Sequence, residues 1–121
     1  MTELEFVAKY GVLCAEMSEY WDGDTATGKE ADDYNLAQRW LREDDSGLPL
    51  KYNIATLRTF IVEARDVLSH FDECAPYVQA ELNLGRTNTP EKSRAWLEKM
   101  IPIWEEVLRQ VEEKWRSEGG T

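Results

Sequence analysis

The sequence predicts an all-α protein, an antiparallel bundle of four main helices with a short further segment after Pro76. Three observations predict it. Residues 54–75 place Ile54, Leu57, Ile61, Ala64, Leu68, Phe71 and Ala75 at alternating spacings of three and four, the period of one helix face, which cannot be made to alternate as a strand. Three further stretches each carry one apolar stripe of the same kind. The links between them are short and rich in helix start and stop signals. With 121 residues, 42% of them hydrophobic, the chain can bury one core, so residues 1–117 read as one domain and 118–121 as a flexible tail.

Thr2 and Glu5 form a T-x-x-E capping box, so a first helix begins at once and runs to about Trp21. Its buried face is Phe6, Tyr10, Leu13 and Met17, then Tyr20 or Trp21, with Val7 and Cys14 on the margin. Residues 22–29 hold glycines and short polar side chains that compete for backbone hydrogen bonds, which favours a loop. Thr27 and Glu30 make a second capping box, and Ala31, Tyr34, Ala37, Trp40 and Leu41 give a weaker helix ending near Asp45 and Gly47. Residues 48–52 form an extended link around Pro49, and Asn53 caps the central helix.

The central helix, 54–75, spans roughly 33 Å at about 1.5 Å per residue. Burying its five large apolar side chains contributes roughly 7 to 15 kcal/mol, comparable with the net stability of a domain. Leu68→Asp is accordingly expected to abolish cooperative unfolding. Pro76 lacks the amide its turn requires, so the helix should kink or restart there and end at Gly85. Thr89 as cap, Pro90 at the first position and Glu91 in the first turn open the last helix, which runs to about Trp115. Its inward set is Leu97, Met100, Ile101, Trp104, Val107, Leu108, Val111 and Trp115, with a bend expected at Pro102.

A net charge of −10 argues against a phosphate-binding surface, so neither nucleic acid nor an anionic membrane is an expected partner. A partner with a basic surface is. Two cysteines, Cys14 and Cys74, make no disulfide framework and read as buried thiols in a reducing cytoplasm. The N-terminus carries an acid where a secretion signal needs positive charge, and no apolar run reaches the ~18 residues of a membrane span.

Five features could carry function. Glu63, Asp66, His70 and Glu73 share one side of the central helix, but at about 100° per residue that side lies opposite the apolar stripe, which predicts a solvated face. The turn Asp22-Gly23-Asp24 begins like a calcium loop and then offers Ala26 and Thr27 where a ligand and the glycine belong. Five tryptophans suit a bundle core, and Trp40 and Trp96, near the edges of their stripes, could also anchor an interface. From Glu16 to Asp33 seven acids face one base, Lys29, and Glu43, Asp44 and Asp45 follow. Acids three or four apart on a helix stand roughly 5 to 6 Å from each other, close to the spacing of phosphates on a nucleic-acid strand.

The fifth feature joins Glu16 and Glu19 to Glu63 and Asp66. This E-x-x-E followed by E-x-x-D resembles the carboxylate pattern of the all-α nucleotide pyrophosphatases of MazG type, and the resemblance covers these four residues alone. It implies acids that hold Mg²⁺ on a nucleoside triphosphate. Against it stands a non-catalytic reading. With one histidine, no nucleophile paired with a base and no glycine-rich phosphate loop, the chain needs no cofactor and reads as a binding module. Glu16, Glu19, Asp22, Asp24, Asp32, Asp33 and Trp40 then form the surface that binds and occludes a basic protein. An assembly chaperone or homodimeric scaffold is the third expectation.

Overall fold

The computed structural model describes residues 1–20, 49–82 and 89–120, with residues 18–20 as backbone only. Among the described residues there are five helices and no strand: α1, Glu3–Lys9; α2, Gly11–Tyr20; α3, Leu50–Ser69; α4, Phe71–Glu81; and α5, Pro90–Ser117. The expected loop 22–29, the helix 31–45 with its Thr27–Glu30 box, and the Gly85 cap lie outside them.

The Thr2–Glu5 capping box forms in both directions, Glu5 N–H donating to Thr2 Oγ1 at 3.1 Å and Thr2 N–H to Glu5 Oε1 at 3.2 Å. The single first helix expected after it is instead two. Tyr10 departs from helical geometry at φ −118° and ψ 39°, and the chain bends there before α2 begins at Gly11. The bend is tolerated because the amides of Val12 and Leu13, in the first turn of α2, donate to a side chain of another helix. Phe6, Tyr10, Leu13 and Met17 are all buried, as their spacing predicts.

α3 starts one turn before Asn53, with Pro49 as its cap residue in an extended conformation and no side-chain cap bond. Burial of Leu50 gives the reason. It continues the Ile54–Leu57–Ile61 stripe backwards by one turn, so residues 50–52 are helical and not an extended link. The break in the central helix falls at His70, six residues before Pro76. Pro76 sits inside α4 without ending it. Its one missing bond would have gone to the Asp72 carbonyl, and both residues face solvent, where water can replace it. The buried face is displaced accordingly. Phe60, Val67, Cys74 and Val78 are fully buried, whereas Leu68 and Ala75, expected inside, are only partly covered.

In α5 the start signals act as expected: Thr89 accepts from Lys92 N–H at 3.2 Å and Pro90 stands in the first turn. Pro102 again lies on the exposed side, and the helix continues past it. Leu97, Met100, Ile101, Trp104, Val107 and Val111 are buried, while Leu108 and Trp115 pack at the margin. After Ser117 the helix is closed by its own backbone. Gly119 N–H donates to the Arg116 carbonyl and Gly120 N–H to the Trp115 carbonyl at 2.9 Å, a Schellman motif for which Gly119 supplies a φ of +85°.

α3 is the element around which the others assemble, α5 lying along one flank and α2 along another. Both partners are antiparallel to it. Arg58 pairs with Glu112 and Arg65 with Glu105, so one chain ascends as the other descends, and Tyr10 meets Asp66 while Val12 meets Glu63. Trp104 stands at the core's centre with Phe60 edge-to-face at 4.4 Å and Trp96 at 5.7 Å.

Candidate functional site

The polar side chains that come together are those where α1 bends into α2 against α3. Glu63 and Asp66 project from successive turns of α3 towards that bend. Glu63 Oε1 accepts from Val12 N–H at 3.2 Å and Leu13 N–H at 3.3 Å, acting as an N-cap supplied by another helix. Asp66 Oδ2 accepts from the Tyr10 hydroxyl at 2.6 Å and stands 3.4 Å from Lys9 Nζ. His70 Nδ1 lies 3.6 Å from the other carboxylate oxygen. Cys74 Sγ closes the cluster, donating to the Tyr10 oxygen at 3.9 Å.

The solvated face predicted for Glu63, Asp66, His70 and Glu73 therefore divides. His70 and Glu73 are exposed, as expected, but Glu63 and Asp66 are half-buried beneath α1 and α2. The wheel placed them correctly opposite the main apolar stripe. A second helix pair covers that side as well, and its polar backbone at the bend is what an acid there can satisfy.

Electrostatics follow from these contacts. The Tyr10 hydroxyl, followed by Lys9 and His70, holds the Asp66 carboxyl below the ordinary carboxylate range against a smaller opposing effect of burial. Burial, then the bond to Asp66, pushes the Tyr10 phenol up. Burial raises Glu63, and the amides of Leu13 and Val12 offset part of that rise. Cys14 is pushed up to about 11 by burial and by the nearby Glu81 and Glu63, and burial raises Cys74 too. Neither thiol is an activated nucleophile at neutral pH.

Of the expected binding surface, Glu16 is half-buried on α2 and Glu19 is described by its backbone alone. Asp22, Asp24, Asp32, Asp33 and Trp40 lie outside the described residues. The pyrophosphatase set is thus seen in part: α2, which carries Glu16 and Glu19, packs on α3, and the oxygens of Glu63 and Asp66 are engaged with the bend. No group of three or more His, Cys, Asp or Glu side chains gathers as a metal site among the described residues. Nor is any described helix long and apolar enough to cross a membrane.

Sequence reasoning missed Lys9 and Tyr10 as partners of Asp66. The spacing of Tyr10 places its ring in the core, where it is, while the hydroxyl at its tip needs a partner once buried. That requirement was the available signal. Which acid would answer it, 56 residues further along the chain, was not.

No protein-family model, curated protein or solved structure matches the chain.

Proposed function

We propose that this is a small, acidic, non-catalytic helical protein of the cytoplasm that binds a basic surface of another protein and inhibits or occludes it. Phage and mobile-element inhibitors of anti-CRISPR or anti-restriction type, nucleic-acid mimics among them, and immunity proteins are the kinds of molecule that fit. The observation that carries this reading is the use made of Glu63 and Asp66. Their oxygens hold the α1–α2 bend against α3, a scaffolding task, and the seven acids against one base between Glu16 and Asp33 supply the negative charge that a basic partner would meet. Steering by such a surface raises association rates and fades with salt.

The test is capture from a lysate of the source organism or its virus-infected host, repeated with Asp22, Asp24, Asp32 and Asp33 reversed to lysine and with added salt. The wild-type chain should retain a protein that the reversed chain and high salt release. Retention unaffected by either would end the electrostatic argument.

A second reading, a Mg²⁺-dependent nucleoside triphosphate pyrophosphatase, draws on the packing of α2 against α3, which sets the helix of Glu16 and Glu19 beside that of Glu63 and Asp66. Incubation with a panel of nucleoside triphosphates and Mg²⁺ separates the two. Pyrophosphate release that disappears in Glu63→Gln, with the fold retained, would replace the first reading by the second.

A further inference from the structure

α2 keeps its first turn without help from α1. At the bend the backbone bonds run from Tyr10 N–H to the Phe6 carbonyl and from Cys14 N–H to the Tyr10 carbonyl, both at 2.9 Å. Between them, the amides of Val12 and Leu13 go to Glu63 of α3. The start of α2 is therefore capped from another helix, and nothing in front of Tyr10 is needed to hold it.

α1, by contrast, depends on its neighbours. With 7 residues it falls short of the ~12–15 at which an isolated helix is even marginal in water, so it is helical because it is docked. Beyond its own continuation into α2, the helix it docks on is α4. Phe6 lies against Tyr77 with ring centroids 5.5 Å apart, the Tyr77 hydroxyl donates to the Met1 carbonyl, and the Tyr10 oxygen accepts from Cys74, which is fully buried. The two ends of α1 are held unequally. Its root is clasped to α3 by the Tyr10 hydroxyl on Asp66 at 2.6 Å, with Lys9 3.4 Å from the same oxygen. Near its tip, Glu3 meets Glu81 at the end of α4, carboxyl to carboxyl, a contact that repels unless the two share a proton.

We infer that α1 is a hinged strap that undocks from α4 as a unit while the other helices stay folded, with the Tyr10–Asp66 bond as its latch and the Cys74 thiol as the group it uncovers. The strap turns at Tyr10, where the helix is already broken. Opening gives up the contacts of Phe6 and Tyr10 but leaves the backbone bonds of α2, α3 and α4 intact, so it costs less than unfolding the chain. Its effect is on access. Closed, the strap keeps Cys74 from solvent; open, it frees the side of α4 that carries Cys74 and Tyr77. This device does not depend on the acidic binding surface proposed above.

The test uses that thiol. In a full chain carrying Cys14→Ser, Cys74 is the one cysteine left, and its reaction with an aromatic disulfide reagent is followed in urea below the unfolding transition. The labelling rate should be nearly independent of urea there, because undocking α1 exposes little surface, and should climb steeply only where global unfolding takes over. Tyr10→Phe should raise the low-urea rate roughly tenfold by removing the latch. Glu81→Gln, which relieves the repulsion at the tip and leaves the core alone, should lower it several-fold. Native-state hydrogen exchange should give the Phe6 amide the same opening free energy as the labelling, with the Val78 amide of α4 protected up to global unfolding. A labelling rate that follows global unfolding at every urea concentration, or that Tyr10→Phe or Glu81→Gln leaves unchanged, would overturn the inference. So would exchange of the Val78 amide together with that of Phe6, which would assign the opening to α4. Labelling as fast as that of the urea-unfolded chain would do the same, since α1 would then cover nothing.

Discussion

Asp66 receives hydrogen-bonding and charge partners from two directions: Tyr10 and Lys9 from α1 and its bend, His70 from its own helix. Because the phenol is buried and the carboxylate half-buried, the bond between them ties a core residue to the margin of α3. Tyr10→Phe removes the donor and should cost about 1 to 2 kcal/mol, read as a lower urea midpoint. Asp66→Ala should cost at least as much, and the double variant little more than Asp66→Ala alone, since both break the same contact. Additive losses in that cycle would show that the two residues act separately. Glu63 answers a different need, the amides of Val12 and Leu13 at the start of α2. Its spacing on α3 was legible beforehand; the amides that donate to it were not, because Gly11 beside the bend marks a weak point in the first helix without recording which distant carboxylate meets the turn beyond it.

At the scale of helices, the positions of the breaks set which side chains are inside. The expected stripe through residues 54–75 would bury Leu68; within α3 the buried arc instead runs through Phe60, Ala64 and Val67, which leaves Leu68 at the rim of the groove beside Ile101 and Pro102. Val67→Asp is therefore the substitution that should abolish cooperative thermal unfolding, whereas Leu68→Asp should retain a sharp transition at a reduced midpoint. Equal damage from the two would place the register back where periodicity alone put it. At the far end of α5, Gly119 holds a φ of +85°, a conformation in which a β-carbon crowds the neighbouring carbonyl. Gly119→Ala should cost about 1 kcal/mol. Gly120 lies against the face of Trp115 with no room for a β-carbon, so Gly120→Ala should cost at least as much and alter the indole fluorescence. Both glycines lie in the stretch expected as a flexible tail, and the backbone bonds they close with Arg116 and Trp115 are a matter of geometry that composition does not record.

For the molecule as a whole, acidification acts with two signs. Glu63 and Glu81 have carboxyl groups raised above the ordinary glutamate value of about 4.3, Glu63 chiefly by burial and Glu81 chiefly by its hydrogen bond with Glu3. Their ionisation disfavours the folded chain, so stability falls as pH rises through the ordinary value towards the folded one. Asp66 is lowered by Tyr10, and Glu106 is lowered to about 2 by Arg109. Their contribution is present above the ordinary carboxylate range and is lost as pH falls through the folded values. Stability should thus rise modestly as pH falls towards the ordinary carboxylate range and drop as pH falls below it. Urea midpoints across that range test it, and Glu63→Gln should flatten the upper part of the curve without removing the acid limb, which Asp66→Asn should reduce.

The sequence by itself determined the all-helical class, the first and last helix starts, and most of the core, because capping chemistry and the 3.6-residue period are local and act wherever the chain lies. Only the tertiary structure decided where the long helices break, which turn of α3 is inside, and that Glu63 and Asp66 serve the α1–α2 bend. The reason is physical. A bend costs backbone hydrogen bonds that the chain near it cannot restore, so its position depends on an acceptor approximately fifty residues away, and no local pattern records which distant carboxylate will be there.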